Sequence, residues 1–495
     1  MRAWTLCLSI IAVTAMPMRL ARAQADTVWR EVYLKDLEFA RDVIASDHPG
    51  SVDNLNPAFR QTLSSAYKEA IDAAQIINSY ESYRIALGRF GNRFQDGHLN
   101  VGPRQSRSLK GVRAAGLYPI YRNGKFVIQS VDDRYGAEVS ALKGAMLTSC
   151  DGKPIETHFR NTILSWRGRP NAQADWYKWA PFTLIDYGPP TAAAPSRCTL
   201  TSGPRSIDVT LKWDSLNSRA LSDASRESSG FAVHPLGVKL ESDGSIWLDI
   251  PSFAIDGDSV PRMRATIDSL RALLKSNPKW PLIVIDLRGN DGGSSVWAAE
   301  IAQAIFGERW LDQAEKWLSD GRYIQYRVSK RNLESLEGQL KQSIERHGAE
   351  SESVKGTRML IDSMKAAYSR GDSLFGPTNT PSGDRRPQAV PVPGRIVVVT
   401  SSSCFSACLD FMDLLLLHPS VIHVGQPTAV DTQYMENWGW TSPSGIIQVG
   451  YPMKVYRNRR RAGNEAYVPR VRRDDLSDTD SLQEWIKANY SRWQP

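Results

Sequence analysis

The chain has 495 residues, 41% of them hydrophobic and 23% charged, with a formal net charge of +8 at neutral pH. That length leaves room for two or three domains with a large core, and the composition excludes a disordered or low-complexity chain. Spread over so many residues, that charge is weak evidence for nucleic-acid or membrane binding, and no nucleic-acid partner is expected.

Residues 1–23 differ from the rest. A basic start at Arg2, an apolar run from Trp4 to Met16 and Ala21-Arg22-Ala23 predict a signal peptide cleaved before Gln24. The run is too short to span a bilayer, and no small-residue lipobox precedes Cys7. The mature chain is therefore expected to be exported, periplasmic or secreted, with no membrane insertion. Its charge falls to +5 with the loss of the three arginines of the signal.

Residues 24–105 read as an N-terminal helical domain. Trp29, Val32, Tyr33, Leu37, Ala40 and Ile44 recur at helical spacing. Asn56-Pro57 predicts the start of a second helix, with Pro at its first position, lined by Phe59, Leu63, Tyr67 and Ala70. A third is expected from Asn78, with Glu81 at capping-box spacing. It ends at Gln95-Asp96-Gly97-His98, a turn into a strand.

Residues 112–215 read as a small β-rich domain with a hairpin turn at Asp151-Gly152. The aromatic stretch Trp166 to Trp179 inside it reads first as packing and second as the wall of a groove. From residue 235 to 480, strands alternate with helices, the order of a parallel α/β sheet. Ile246 to Ile250 and Leu282 to Leu287 are strands, and Arg288-Gly289-Asn290-Asp291-Gly292-Gly293 follows the second as a loop. Residues 308–394 read as an insertion, helical and charged at first, then an exposed Pro/Gly/Ser-rich loop. The run Arg457 to Arg461 reads as a solvated basic loop, and residues 481–495 as a terminal helix.

One turn stands out. Ile396 to Val399 is an apolar β-branched strand, and a helical pattern begins at Ala407. Ser406, at the turn between them, is placed for nucleophilic attack, with unpaired helix N–H groups beside it for an oxyanion. Gly292 and Gly293 bring a second backbone close, because no Cβ intrudes. In an oxidising compartment the four mature cysteines can pair. Cys150 with Cys198 is the better-placed bridge, while Cys404 and Cys408 flank Ser406 and pair only if the turn allows. No cysteine and histidine group has zinc-site spacing, and no metal or cofactor is expected.

V-I-D-L-R-G-N-D-G-G (284–293) resembles the D-L-R-x-N-x-G-G signature of the tail-specific, or C-terminal-processing, serine peptidases. S-S-C-F-S-A-C (402–408) is similar to their nucleophile segment, and Gly425-x-x-Thr428 to their G-x-x-T. Leu142 to Ile155 resembles part of a PDZ domain. The resemblance implies a Clp-protease/crotonase-like α/β core with an N-terminal helical bundle and a PDZ-like domain that captures extended chains. It implies a serine peptidase acting on protein or peptide, near substrate C-termini. Where Ser–Lys members carry their lysine this chain has Asp431, so the match is to the tricorn-core-like branch, with Ser406 as nucleophile, His98 as base and Glu465 as orienter. Gly292, Gly293 and Ala407 would supply the oxyanion hole. A silent binding protein of the same fold, or an esterase using the same serine, are the alternative readings.

Overall fold

The computed structural model describes residues 15–104, 112–232 and 234–493, with the backbone alone for 15–27 and 346–347. Most of the expected signal segment, residues 1–14, lies outside the described residues; Ala21 to Ala23 falls within the first helix, Ala15–Asp47. Among the described residues no helix is long and apolar enough to cross a membrane.

A six-stranded sheet organises the molecule. Its strands are, in order, Gly237–Leu240, Ile246–Asp249, Leu282–Asp286, Arg395–Thr400, Val421–Gly425 and Val471–Arg472. The first pair is antiparallel and every later pair parallel. Continuous apolar runs are needed because both faces are covered. Ile246, Leu248, Ile283, Ile285, Ile396 and Val398 pack in one core with side chains from the helices Ser259–Ser276, Ser295–Phe306 and Ala407–Leu415. The alternate residues Trp247, Val284, Val397 and Val399 share the opposite core with Leu482 and Ile486 of the terminal helix Thr479–Asn489. Each such Ile, Leu or Val contributes roughly 1.5–3 kcal/mol by leaving water.

Three helices, Ala15–Asp47, Ala58–Ala73 and Tyr80–Asn92, form the N-terminal layer around Tyr33, Leu37, Phe59, Tyr83 and Phe90. Two helix starts differ from expectation. Pro57 is the residue before the second helix rather than within its first turn. The third helix is capped by Ser79, whose hydroxyl accepts from the Ser82 N–H while Ser82 Oγ accepts from the Ser79 N–H. The serine three positions on completes the box in place of Glu81, one residue later in the chain.

A five-stranded antiparallel path lies between the helical layer and the sheet in sequence: Leu117–Arg122, Lys125–Val131, Met146–Cys150, Arg197–Ser202 and Arg205–Thr210. Asp151 and Gly152 have φ of 46° and 75°, which closes the hairpin to Lys153–Pro154. Cys150 and Cys198 face each other on paired strands and are bridged. Trp166 and Trp176 are buried in the core of this unit, and the Arg167 guanidinium lies 3.8 Å from the centroid of Trp166.

The insertion is better tied down than its sequence suggests. Between its helices Glu308–Ser319, Lys330–His347 and Glu352–Arg370 runs a strand, Tyr323–Arg327, paired with Lys454–Arg457. Residues 376–394 carry neither helix nor strand. The run Arg457 to Arg461 corrects the expectation of a solvated loop. Arg457 is buried against Asp53, and Arg461 against Asp410, Asp413 and Asp431. Acids from distant segments neutralise it, which no local window reveals.

Candidate active site

The loop after Leu282–Asp286 is built by its own polar side chains. Asp286, wholly buried, accepts from the Arg288 backbone N–H and Nε, and pairs with Arg288 Nη2 at 2.6 Å. Arg288 also donates to the Leu476 carbonyl and to Thr479 Oγ1. Asn290 then donates to the Ile250 carbonyl at 3.0 Å and accepts from the Gly292 N–H at 3.0 Å. With both ends fixed, Gly292 takes a φ of 104° and Gly293 one of 133°. A Cβ on Gly292 would lie 2.7 Å from the Phe405 carbonyl oxygen and 2.8 Å from Ser406 Cβ. Glycine is required there by both conformation and space.

Ser406 stands immediately before the helix Ala407–Leu415 with φ 54° and ψ −121°. A residue with a Cβ pays about 1–3 kcal/mol for such a conformation, and the surroundings must impose it. They do so through the Cys404–Cys408 disulfide, which straddles the serine, and through the Ala429 N–H to Cys404 carbonyl bond at 3.0 Å. Ala407 is the first residue of the helix, so its N–H has no partner in the helix. Among the described residues the N–H groups of Ala407 and Gly293 make no hydrogen bond.

His98 arrives from the N-terminal layer. The strand just after it, Asn100–Pro103, pairs antiparallel with Ile447–Tyr451 of the core region, and this sets its depth. Asp96 fixes the turn by accepting from the His98 backbone N–H at 2.9 Å, with its other oxygen 3.4 Å from His48 Nε2. Gly97 lets the Phe405 ring and Arg169 approach, since a Cβ there would sit 2.8 Å and 2.9 Å from them. His98 Nε2 lies 3.4 Å from Ser406 Oγ, across 308 residues of sequence. The imidazole is buried, with Nδ1 unpartnered among the described residues. Burial holds its pKa below the usual 6.5, opposed by the charges of Asp96 and Asp431 and aided by those of Arg169 and Arg459.

The structure thus brings together His98, Ser406, Gly293 and Ala407. It does not bring Glu465 to them: that residue is exposed and its carboxylate accepts from the Ala462 N–H at 2.7 Å, a local turn contact. Gly292 is at the site, but its N–H is taken by Asn290, which leaves it a close-packing role rather than a donor role. Sequence reasoning misses Asn290 and Asp96; Asp96, two residues before His98, carries the weak signal of an Asx turn. Around Ser406 and His98 opens a cleft of about 750 Å³, walled also by Asp291, Ser335, Gln339, Trp438 and Trp440.

His234, Asp249 and Asp286 also lie together. The arrangement is already closed: His234 Nε2 is 2.9 Å from the Arg288 carbonyl, and Arg288 occupies both oxygens of Asp286. The donor set does not suit a metal.

A strained serine at a strand-to-helix turn, beside a buried imidazole and free N–H groups, is an arrangement suited to serine-type hydrolysis. Residues 247–451 match the model of Peptidase family S41. The match covers less than half of the chain, and the enzyme class it supports is a serine-type peptidase. Similar solved structures include a mutant of CPAF, at 14% identity and a TM-score of 0.57, covering 94% of this chain and 96% of that one. Mature CPAF gives 14% identity and 0.55, with 93% and 96% covered, and mature CPAF complexed with lactacystin gives 14% and 0.54, with 93% and 98% covered. At that identity the likeness is one of fold. No curated protein matches the chain in sequence.

Proposed function

We propose that the protein is an exported peptidase that cleaves peptide bonds through a Ser406–His98 pair and an acyl-enzyme, in the manner of the tricorn-core-like branch. The observation that carries this reading is the approach of His98 Nε2 to 3.4 Å from Ser406 Oγ. Neutral imidazole accepts the serine proton as Oγ attacks the scissile carbonyl carbon. The carbonyl oxygen becomes an oxyanion, stabilised by the N–H groups of Gly293 and Ala407. The tetrahedral intermediate collapses as the protonated imidazole donates to the leaving amine. Water, deprotonated by the same imidazole, then releases the acyl group and regenerates Ser406.

Asp96 supports the base by clamping its backbone, and Asp431 by its charge. Substrate binds as an extended chain, with the PDZ-like antiparallel unit presenting chain ends to the cleft. Export is supported by two disulfides, which persist in oxidising compartments, and by the composition of residues 1–23. The test is steady-state cleavage of internally quenched peptides and of simple esters by wild type, Ser406→Ala and His98→Ala. Peptide cleavage lost in both variants supports the reading; turnover confined to esters overturns it in favour of an esterase.

A further inference from the structure

The cleft around Ser406 is charged differently from the molecule that holds it. The chain carries a net +8, yet among the described residues the only formally charged side chains lining the cleft are acids, Asp291 and Glu436. His98 is the remaining titratable lining group, and it is the buried base. The insertion helix Lys330–His347 contributes Ser335, Gly338, Gln339 and Gln342, all neutral, and the edge strand Trp438–Thr441 contributes Trp438, Gly439 and Trp440.

The two acids are not equivalent. Glu436 is engaged, with Oε1 2.5 Å from Lys454 Nζ and Oε2 accepting from Trp438 Nε1 at 3.3 Å. Asp291 is exposed and makes no hydrogen bond or ion pair among the described residues. Its position is set tightly all the same. It lies between Asn290, anchored to Ile250, and Gly292, packed against Phe405 and Ser406. A free carboxylate is therefore carried on anchored backbone, one residue from the glycine that packs against Ser406.

We propose that Asp291 is a specificity residue, which selects substrates carrying a lysine or arginine beside the scissile bond. A cationic side chain in the cleft meets one unpaired acid and no competing cation. An acidic side chain meets the same carboxylate as a repulsion. This inference rests on the peptidase reading above.

The test uses the full mature chain and three quenched peptides alike except for Lys, norleucine or Glu placed in turn on each side of the scissile bond. Wild type is expected to favour Lys over Glu by about 10-fold in kcat/KM at low ionic strength, with the ratio shrinking as salt is added. Asp291→Asn should bring the ratio close to one, and Asp291→Lys should invert it. Inversion cannot arise from misfolding, which lowers both activities by the same factor and leaves their ratio unchanged. Equal cleavage of the Lys and Glu peptides by wild type, or a preference surviving in Asp291→Asn, overturns the inference alone. Failure of wild type to cleave any peptide overturns the peptidase reading and the inference with it.

Discussion

Asp431 and Arg461 form a buried ion pair at the position where Ser–Lys members of the resembled family carry their base. Both side chains are sealed from solvent, at 0% and 1% exposure, and Arg459 Nη2 adds a second contact to the same carboxylate oxygen at 2.7 Å. Arg461 continues to Asp413 at 3.0 Å and Asp410 at 3.3 Å. A cation in place of Asp431 would face two guanidinium groups with no acid between them.

Asp431→Lys is accordingly expected to cost about 3–5 kcal/mol of stability, the range for a broken buried pair. Urea unfolding of the variant measures it. The same substitution made in the His98→Ala background should restore no turnover, since the introduced ammonium would be held in repulsion with the arginines. Recovery of peptide cleavage in that double variant would show that a lysine here can reach the serine.

His98→Ala and Ser406→Ala should each lower turnover by about 10³-fold or more, and the double variant should fall little further, because both remove one proton-transfer unit. Kinetics at saturating substrate decide this. A folded His98→Ala enzyme with near-normal turnover would reduce His98 to a turn residue.

The pH profile follows from the burial of the imidazole. His98 is held below the ordinary 6.5, and only its neutral form accepts a proton. The acid limb of kcat/KM should therefore fall below pH 6.5, and Asp96→Asn, by removing a charge that raises the pKa, should move it further toward acid. A limb above about 7 in wild type would contradict this ordering.

Stability should carry its own titration. Burial pushes His423, 4% exposed, down to about 3, and its Nε2 is 2.6 Å from Thr400 Oγ1. The folded state keeps this ring neutral while the unfolded chain protonates it below about 6.5. The contribution is thus full above about pH 6.5 and lost as pH falls toward about 3, at up to about 1.4 kcal/mol per pH unit for one proton. His423→Gln keeps a donor for Thr400 and should flatten the slope by that amount between about pH 6 and 4. An unchanged slope would place the acid sensitivity elsewhere.

Gly292→Ala should act on the chemistry rather than on substrate binding. Its methyl group would press on Ser406 Cβ and the Phe405 carbonyl, 2.8 Å and 2.7 Å away, and displacement of a reacting group by about 1 Å can cost about 10²-fold. A drop in kcat with little change in KM is the expected result.

The features legible in the sequence are those with a local cause. The Ser406 turn is visible because a β-branched run meets a helical period at small residues, and the glycine loop because D-L-R-x-N-x-G-G is contiguous. Features arising from distant partners are not. Nothing near Arg457 announces Asp53, and nothing near Asn100 announces the register with Gly450. Glu465 is suggested by its neighbourhood, but a side chain three residues past Ala462 has a nearer N–H to accept. Asn290 shows the same principle inside a motif: the residue that shapes the loop also occupies the donor of Gly292.

The pairing of Asn100–Pro103 with Ile447–Tyr451 has a consequence for when this enzyme can exist as an enzyme. A ribosome-bound chain, or one cut short before Ile447, already contains the serine, its helix and the glycine loop. It has no Ile447–Tyr451 strand to anchor the segment that follows His98, so it holds Ser406 without a seated His98. If Ser406 and His98 act as proposed, competence requires that Ile447–Tyr451 has been made and paired.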